Sequence, residues 1–388
     1  MRIILVVIEE GRFAGPHRQA ITLLEKLKFS NTSRYILLLP TSADEHLLEI
    51  VRDNDIEYRQ VDLSTLSFAP RNLWHFFSSF FPSVRNLVGV YLGCNASVVL
   101  VFGGVWMVRS IIACMATKTP FVIRLNDTSQ PFFFRMLLYF FTTFASGIIF
   151  NSRRTFSYYR DYVNVSHRLS SVLLPSCVDS SRFFPAYSRG LSTSHESRES
   201  FCRSRPLLLL SVGSIVPTKG FDRLVKICSL YARHDFPIVL TIAGPIRSNY
   251  KSYRDSLESM AVASSYFSLK LVHDSNDIAS LYQSHDIYVC SSYHESSPNS
   301  VWEAMSCGLP VVSSDVGDVH DVIRRAGCGF CIDSVDFDGS FMSILDRVFP
   351  LGPGHLKLYG KQASDWVLTN NSPDAIARRF DSFLSKRI

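Results

Sequence analysis

The chain has 388 residues, 47% of them hydrophobic and 19% charged, with a net charge of +6. That length favours two domains, each large enough for its own core. The positive charge is too small and too local for a general nucleic-acid binder: nine Arg stand against four Asp plus Glu between Asn151 and Pro206, and the rest is close to neutral. A local basic strip suits an anionic substrate or a membrane surface. Nine scattered Cys, with Cys228 and Cys290 inside apolar runs, argue against a disulfide framework and for a reducing compartment. The start, MRIILVVIEE, has no small-residue cleavage site and turns acidic at once, so no signal peptide and a cytoplasmic location are expected.

In the first half, strands are predicted at 2–8, 35–40, 98–102, 121–125, 147–150 and 171–175, with helical stretches between them. The first loop runs EEGRFAGPHRQAITLLEKL. Gly15 there permits close backbone approach to a ligand before a helix expected to start near His17 or Arg18. The loop lacks the G-x-G-x-x-G fingerprint, which disfavours a dehydrogenase. His17 and Arg18 read either as surface residues or as acceptor contacts. The run 98–116 holds Gly103-Gly104 and Arg109 and reads as strand then helix. Asn126 and Asp127 follow a strand and either line a cleft or cap a helix. The run FFFRMLLYFFTTFASGIIF at 132–150 carries Arg135, which argues against a membrane span. It is expected to divide into a buried helix, a turn at Ser146-Gly147 and a strand. A helix lying in the membrane interface is the alternative. The aromatic and cationic stretches at 72–81 and 132–141 leave the same choice between core and membrane.

A Ser- and Arg-rich stretch without apolar period, 186–206, marks the boundary. The expected organisation is a first domain at 1–190, a linker or mobile loop at 191–206, a second domain at 207–370, and a closing segment at 371–388. That segment holds a helix at 374–386 that can pack back on the first domain.

Second-half strands are predicted at 207–212, 238–243, 269–272, 287–290, 310–314 and 329–332. Strands alternating with helices mean α/β units with parallel sheets covered on both faces. In such sheets ligands lie beyond the carboxyl ends of the strands, and a cleft between two units is a favoured site. The loop SVGSIVPTKGFDRL places Gly213 and Ser214 at a strand end and Lys219-Gly220 before a helix near Phe221. Lys219 is either a solvated loop lysine or a point charge beside a diphosphate. The segment YHESSPNSVWEAMSCGLPVVSSD carries Glu295 and Glu303 between two strands. Ser296 or Ser297 is expected to cap its helix, with Pro298 in the first turn and Gly308 and Pro310 ending it. A helix N-terminus seats phosphate, whereas carboxylates accept hydrogen bonds from hydroxyls. Both together suit a nucleotide sugar. Cys328-x-x-Cys331 has no second pair and reads as a turn into a strand. Asp336 and Asp338 have no third ligand, so no metal is expected.

These residues together resemble the retaining glycosyltransferases of the GT-B fold, family 4 (the group 1 transferases). The resemblance rests on Glu295 and Glu303 in an E-x7-E pattern, on Ala304-Met305 and Gly308-Leu309-Pro310-Val311-Val312, and upstream on Val212-Gly213 and Lys219-Gly220. It is specific from about Leu207 to Phe330. FNSRRT and LPSCVDSSRFFP extend it before the linker. It implies two Rossmann-like domains with parallel sheets facing across a central cleft. Glu303 would bind the donor ribose and Glu295 the hydroxyls of the donor sugar. The backbone at Asn299, Ser300 and Val301 would hold the diphosphate, helped by Lys219 and the Gly213–Ser214 turn, with Gly15 near the donor phosphates. His17, Arg18, Asn126 and Asp127 would lie on the acceptor side.

The implied reaction moves a hexosyl group from a UDP-sugar or GDP-sugar to a hydroxyl, with no cofactor and no metal. The implied acceptor is a saccharide or polyprenyl-linked saccharide in surface-polysaccharide assembly, at the inner face of the membrane. Three positions depart from the family pattern. Ser214 replaces an Arg, for which Arg247 or a first-domain Arg could substitute; Cys177 replaces a Gly; Asn126 replaces a His. A nucleotide-sugar epimerase of the same fold, or a non-catalytic subunit of a transferase complex, are the alternative functions.

Overall fold

Runs such as ILVVI at 4–8 lack the polar alternation of a half-exposed strand and belong in parallel sheets covered on both faces. The computed structural model forms two such sheets. It describes residues 1–63, 70–103, 107–128, 130–164, 170–186, 201–202, 205–261, 264–273 and 277–385, with the backbone alone for 70–77 and 248. Most of the predicted linker at 191–206 lies outside the described residues. By internal contacts the chain forms two units, Met1–Cys177 with Pro373–Ile388, and Val178–Ser372.

The first unit opens with β1 (Arg2–Ile8), α1 (Gly15–Leu27), β2 (Ser33–Pro40), α2 (Glu45–Asp53) and β3 (Tyr58–Val61). It continues with α3 (Pro70–Gly93), β4 (Val98–Gly103), α4 (Val108–Thr117) and β5 (Phe121–Leu125). It then runs through α5 (Phe132–Thr142), β6 (Gly147–Phe150), α6 (Arg153–Tyr159) and β7 (Ser170–Leu173). The sheet is parallel, in the order β3-β2-β1-β4-β5-β6-β7. One face packs on α3, α4 and α5 through Leu87, Tyr91, Ile111, Phe134 and Leu138.

The second unit runs β8 (Leu207–Val212), α7 (Phe221–Tyr231), β9 (Ile238–Ala243), α8 (Lys251–Met260) and β10 (Phe267–Val272). There follow α9 (Ile278–Gln283), β11 (Ile287–Cys290), α10 (Asn299–Ser306), β12 (Val311–Ser313), α11 (Val319–Ala326) and β13 (Gly329–Cys331). It closes with α12 (Phe337–Asn370), which breaks at Gly352, where φ is 68°. Its parallel sheet has the order β10-β9-β8-β11-β12-β13. One face packs on α7, α8 and the first part of α12; the other packs on α9, α10, α11 and the last part of α12. The final helix, α13 (Pro373–Ser385), belongs to the first unit. There Ile376, Phe380 and Leu384 join α1 and α2 on the second face of the first sheet.

Three expectations need correction. Strand β3 is absent from the predicted set: its sequence YRQV is polar, because it is a four-residue edge strand with one buried side chain. Helix α1 begins at Gly15 rather than near His17, since Pro16 fits the first turn. Helix α5 is not a buried helix: Phe134, Leu138 and Phe141 face the core, while its other side is exposed. Among the described residues no helix is long and apolar enough to cross a membrane. All nine cysteines are free. Asp336 caps α12 through Gly339 N–H at 2.9 Å, and β13 follows Cys328.

At the end of β1, Glu9 is buried against α4. Its Oε2 accepts from Arg109 Nε at 2.9 Å and Nη2 at 2.6 Å, and its Oε1 accepts from the Ser110 hydroxyl at 2.6 Å. Removing one partner of a buried pair strands the other charge, at about 3–5 kcal/mol. Arg109→Met is therefore expected to lower unfolding stability by that amount in urea titration. Glu9→Leu combined with Arg109→Met should recover much of the loss. A single variant as stable as the parent would contradict this reading of the pair.

Candidate functional site

Both sheets reverse their strand order beside their first strand: between β1 and β4 in the first unit, and between β8 and β11 in the second. Loops leaving such a pair on opposite sides open a crevice at their carboxyl ends, where ligands bind in open α/β sheets. In the second unit these are the loop after β8, which carries Gly213 to Gly220, and the loop after β11, which carries Ser291 to Pro298.

The two loops are joined. Lys219 Nζ is ion-paired to Glu295 Oε1, with both side chains about one-fifth exposed. Ser292 Oγ donates to the same oxygen at 3.3 Å. The Ser291 hydroxyl donates to Lys219 O at 2.9 Å, and Tyr293 N–H to Thr218 O at 2.9 Å. A 3-10 turn at Pro217–Lys219 ends at Gly220, whose φ of 62° is left-handed. A Cβ on Gly220 would stand 2.2 Å from Ser291 O, so only glycine lets the loops approach this closely. Gly213 packs beneath Lys219: a Cβ there would lie 3.1 Å from Lys219 Cε.

Behind the pair, Arg223 of α7 braces the β11 loop. Its Nε donates to Ser291 O at 3.0 Å and its Nη2 to Ser292 O at 3.2 Å. Its guanidinium lies 4.1 Å from the Tyr293 ring centre and 3.9 Å from that of Phe337. Burial lowers its pKa from the usual arginine value.

Helix α10 begins at the same place. Tyr288 of β11 donates to Ser300 Oγ at 2.7 Å, and its hydroxyl lies 3.4 Å from Val212 O. The first turn of α10 is thereby tied to the end of β8. Glu303, one turn on, is buried and accepts from Tyr282 of α9 at 3.1 Å. Burial raises both tyrosine pKa values, so each stays a hydrogen-bond donor. The expected serine cap is absent. Pro298 is the N-cap and no side chain caps the helix. Ser297 Oγ accepts from Trp302 Nε1 at 3.2 Å. Val301 N–H donates to Pro298 O at 3.2 Å, so it is engaged inside the turn.

The structure thus gathers Gly213, Lys219, Glu295, Ser300 and Glu303 around one pair of strand ends. Ser214 and Asn299 lie on the same loop and helix start. Arg247 is exposed on the neighbouring loop after β9, which reaches the β8 loop through Ile215 N–H and Pro245 O at 3.0 Å. The sequence did not reveal Arg223, Tyr282, Tyr288 or Ser292, since their roles come from cross-strand neighbours and not from spacing.

In the first unit the predicted residues lie on α1 and just after β5, which Arg124 links through its Nη2 to Gln19 Oε1 at 3.1 Å. Gly15 is the first residue of α1. His17 is buried rather than on the surface, its Nε2 2.8 Å from Glu10 O, and burial lowers its pKa. Arg18 is exposed, with its guanidinium 5.8 Å from the Phe13 ring centre. Asn126 Oδ1 accepts from Arg124 Nε at 3.2 Å, and Asp127 accepts from Tyr159 at 2.9 Å and Gln130 at 2.5 Å. Arg124 is fully buried, which pushes its pKa down to about 10.

Residues 193–342 match the family model described as glycosyl transferases group 1. The likeness to this family rests on that segment, and the two parallel-sheet α/β units are those of the GT-B fold. The protein YtcC of Bacillus subtilis is 26% identical over 182 residues, 45% of this chain and 44% of that one. The UDP-Gal:α-D-GlcNAc-diphosphoundecaprenol α-1,3-galactosyltransferase of Escherichia coli is 34% identical over 73 residues, 19% of each chain. The chain thus matches less than half the length of these curated relatives. Among solved structures, Anabaena HepE in complex with UDP and glucose aligns over 100% of both chains, with a TM-score of 0.78 and 15% identity.

Replacing Gly220 by Ala forces a left-handed residue, at about 1–2 kcal/mol, and a clash with the Ser291 carbonyl. Gly220→Ala should lower the melting temperature and cut nucleoside-diphosphate binding, read by calorimetric titration. Unchanged binding would show that the two loops need not meet.

Proposed function

We propose that the protein is a glycosyltransferase that moves a hexosyl group from a nucleoside-diphosphate sugar to an acceptor hydroxyl, with retained anomeric configuration. The observation that carries this reading is the Lys219–Glu295 pair at the order reversal of the second sheet, beside the uncapped start of α10. An ammonium has three donors, and Glu295 takes one. The others suit phosphate oxygens, to which the start of α10 adds its positive dipole end. Glu295 keeps acceptor capacity for sugar hydroxyls a few ångströms away. Glu303, fixed by Tyr282, is the candidate acceptor for the ribose hydroxyls.

In the reaction, the bond from the anomeric carbon to the diphosphate oxygen breaks, and the acceptor oxygen bonds to that carbon. The acceptor proton passes to the departing phosphate oxygen, so no separate protein base is needed. Lys219 stabilises the charge that grows on the leaving diphosphate. A donor fixed in place before the charge develops lowers the barrier more than one that must reorient. HepE is named for its complex with UDP and glucose, which makes a UDP-sugar the first donor to test. The Escherichia coli relative is named for an undecaprenol-diphosphate-linked acceptor, and a lipid-linked saccharide is the acceptor class we favour here.

Lys219→Ala and Glu303→Ala should each reduce transfer about 100-fold or more while the chain stays folded. The measurement is release of nucleoside diphosphate in the presence of acceptor, with melting temperatures as the folding control. Donors are chosen by thermal shift across a panel of nucleotide sugars, since a ligand of the native state raises the melting temperature. Either variant transferring sugar at the parental rate would remove the assignment.

A further inference from the structure

Apart from Arg135 and Thr142, helix α5 is apolar all round, although only one side meets the core. Phe134, Leu138 and Phe141 are buried against the first sheet. Phe132, Phe133, Met136, Tyr139 and Phe140 of the helix, with Phe144 just beyond it, are each between 50% and 73% exposed. Their spacing keeps them on one outward stripe. A helix that is apolar all round expects a second apolar medium on its outer side. Isolated exposed apolar residues are ordinary, but five large ones on one helix with a sixth just beyond it make a patch of the kind that marks interaction sites.

The charges beside this stripe are mainly positive, with Asp161 paired to Arg160 at 3.5 Å. Between residues 130 and 162 there are four Arg (135, 153, 154, 160) and one acidic residue, Asp161. Arg135 of the helix reaches the rings beside it, its guanidinium 5.1 Å from the Tyr158 ring centre and 4.6 Å from that of Tyr162. Those rings belong to α6 and the turn after it, so α6 stands beside the stripe and brings exposed Arg153 and Arg160 with it. Aromatic side chains flanked by arginines fit an anionic lipid surface, where rings enter the acyl boundary and guanidinium groups meet phosphates.

The geometry points to the α5 stripe as the surface by which the first unit lies on an anionic bilayer. Charge disfavours a second copy of the chain as the occupant. Two copies meeting through this stripe would bring the arginines beside it against like charges, whereas an anionic bilayer offers opposite ones. The inference deepens the lipid-linked acceptor reading above and rests on it for its purpose.

The test is flotation of the full chain with vesicles of neutral lipid, and of neutral lipid with about 30% phosphatidylglycerol. The parent should float with the anionic vesicles and much less with the neutral ones. Phe133→Ser with Phe140→Ser should lose about tenfold of that binding, and Arg153→Glu with Arg160→Glu several-fold. Both pairs are exposed, so melting temperatures should stay near the parental value. UDP-dependent thermal shift, read on the same variants, should be unchanged. Absence of flotation, or equal flotation by all variants, would overturn the surface while leaving the transferase reading standing if UDP still shifts melting. A dimer that the Phe pair dissolves, seen by light scattering, would also overturn it.

Discussion

Lys219 and Glu295 stand 76 positions apart in sequence, yet one ion pair joins them at the mouth of the second sheet. Three further contacts make that pair a fixed structure rather than a chance meeting of surface charges: Ser291 to the Lys219 carbonyl, Tyr293 to the Thr218 carbonyl, and the close passage of Gly220 under Ser291. Arg223 holds the far side of the same loop by its carbonyls, because a guanidinium presents a rigid fork of donors that a lysine lacks. A charged site works best when its dipoles are set before the ligand arrives, and this bracing sets them.

The first unit uses charge differently. Glu9 and Arg109 neutralise each other inside the protein, at the place where the first sheet reverses its order. Arg124 meets amide oxygens of Gln19 and Asn126 and the face of Phe102. These groups shape the first unit from within. Outward, the same unit shows the aromatic stripe of α5. The second unit carries the phosphate-suited chemistry, while the first presents an apolar surface.

Much of this was legible in the sequence where apolar runs were long. The strands at 2–8, 121–125, 207–212, 238–243 and 287–290 coincide with β1, β5, β8, β9 and β11, since a doubly covered parallel strand is apolar along most of its length, with Arg124 in β5 an exception. Glu295 and Glu303 were legible around one helix start, but spacing alone left Lys219 open between a solvated loop lysine and a phosphate contact; the structure adds its ion pair to Glu295. What the sequence hid was set by tertiary neighbours. Ser297 accepts from Trp302 and no side chain caps α10, and His17 is buried in the first turn of α1, beside Glu10 O. Strand β3 is too polar and short to announce itself, and α5 shows a periodicity that cannot say which apolar side meets protein.

The central claim is that Glu295 serves the sugar and Lys219 the diphosphate, within one site. Calorimetric titration of the nucleoside diphosphate and of its sugar conjugate, on the parent and on Glu295→Gln, separates the two roles. A lost hydrogen bond to a charged group weakens binding by about 1.5–3 kcal/mol, roughly tenfold or more. The account predicts that loss for the sugar conjugate alone, with the bare diphosphate bound as well as before or more tightly. Equal weakening of both ligands, or of neither, would contradict it.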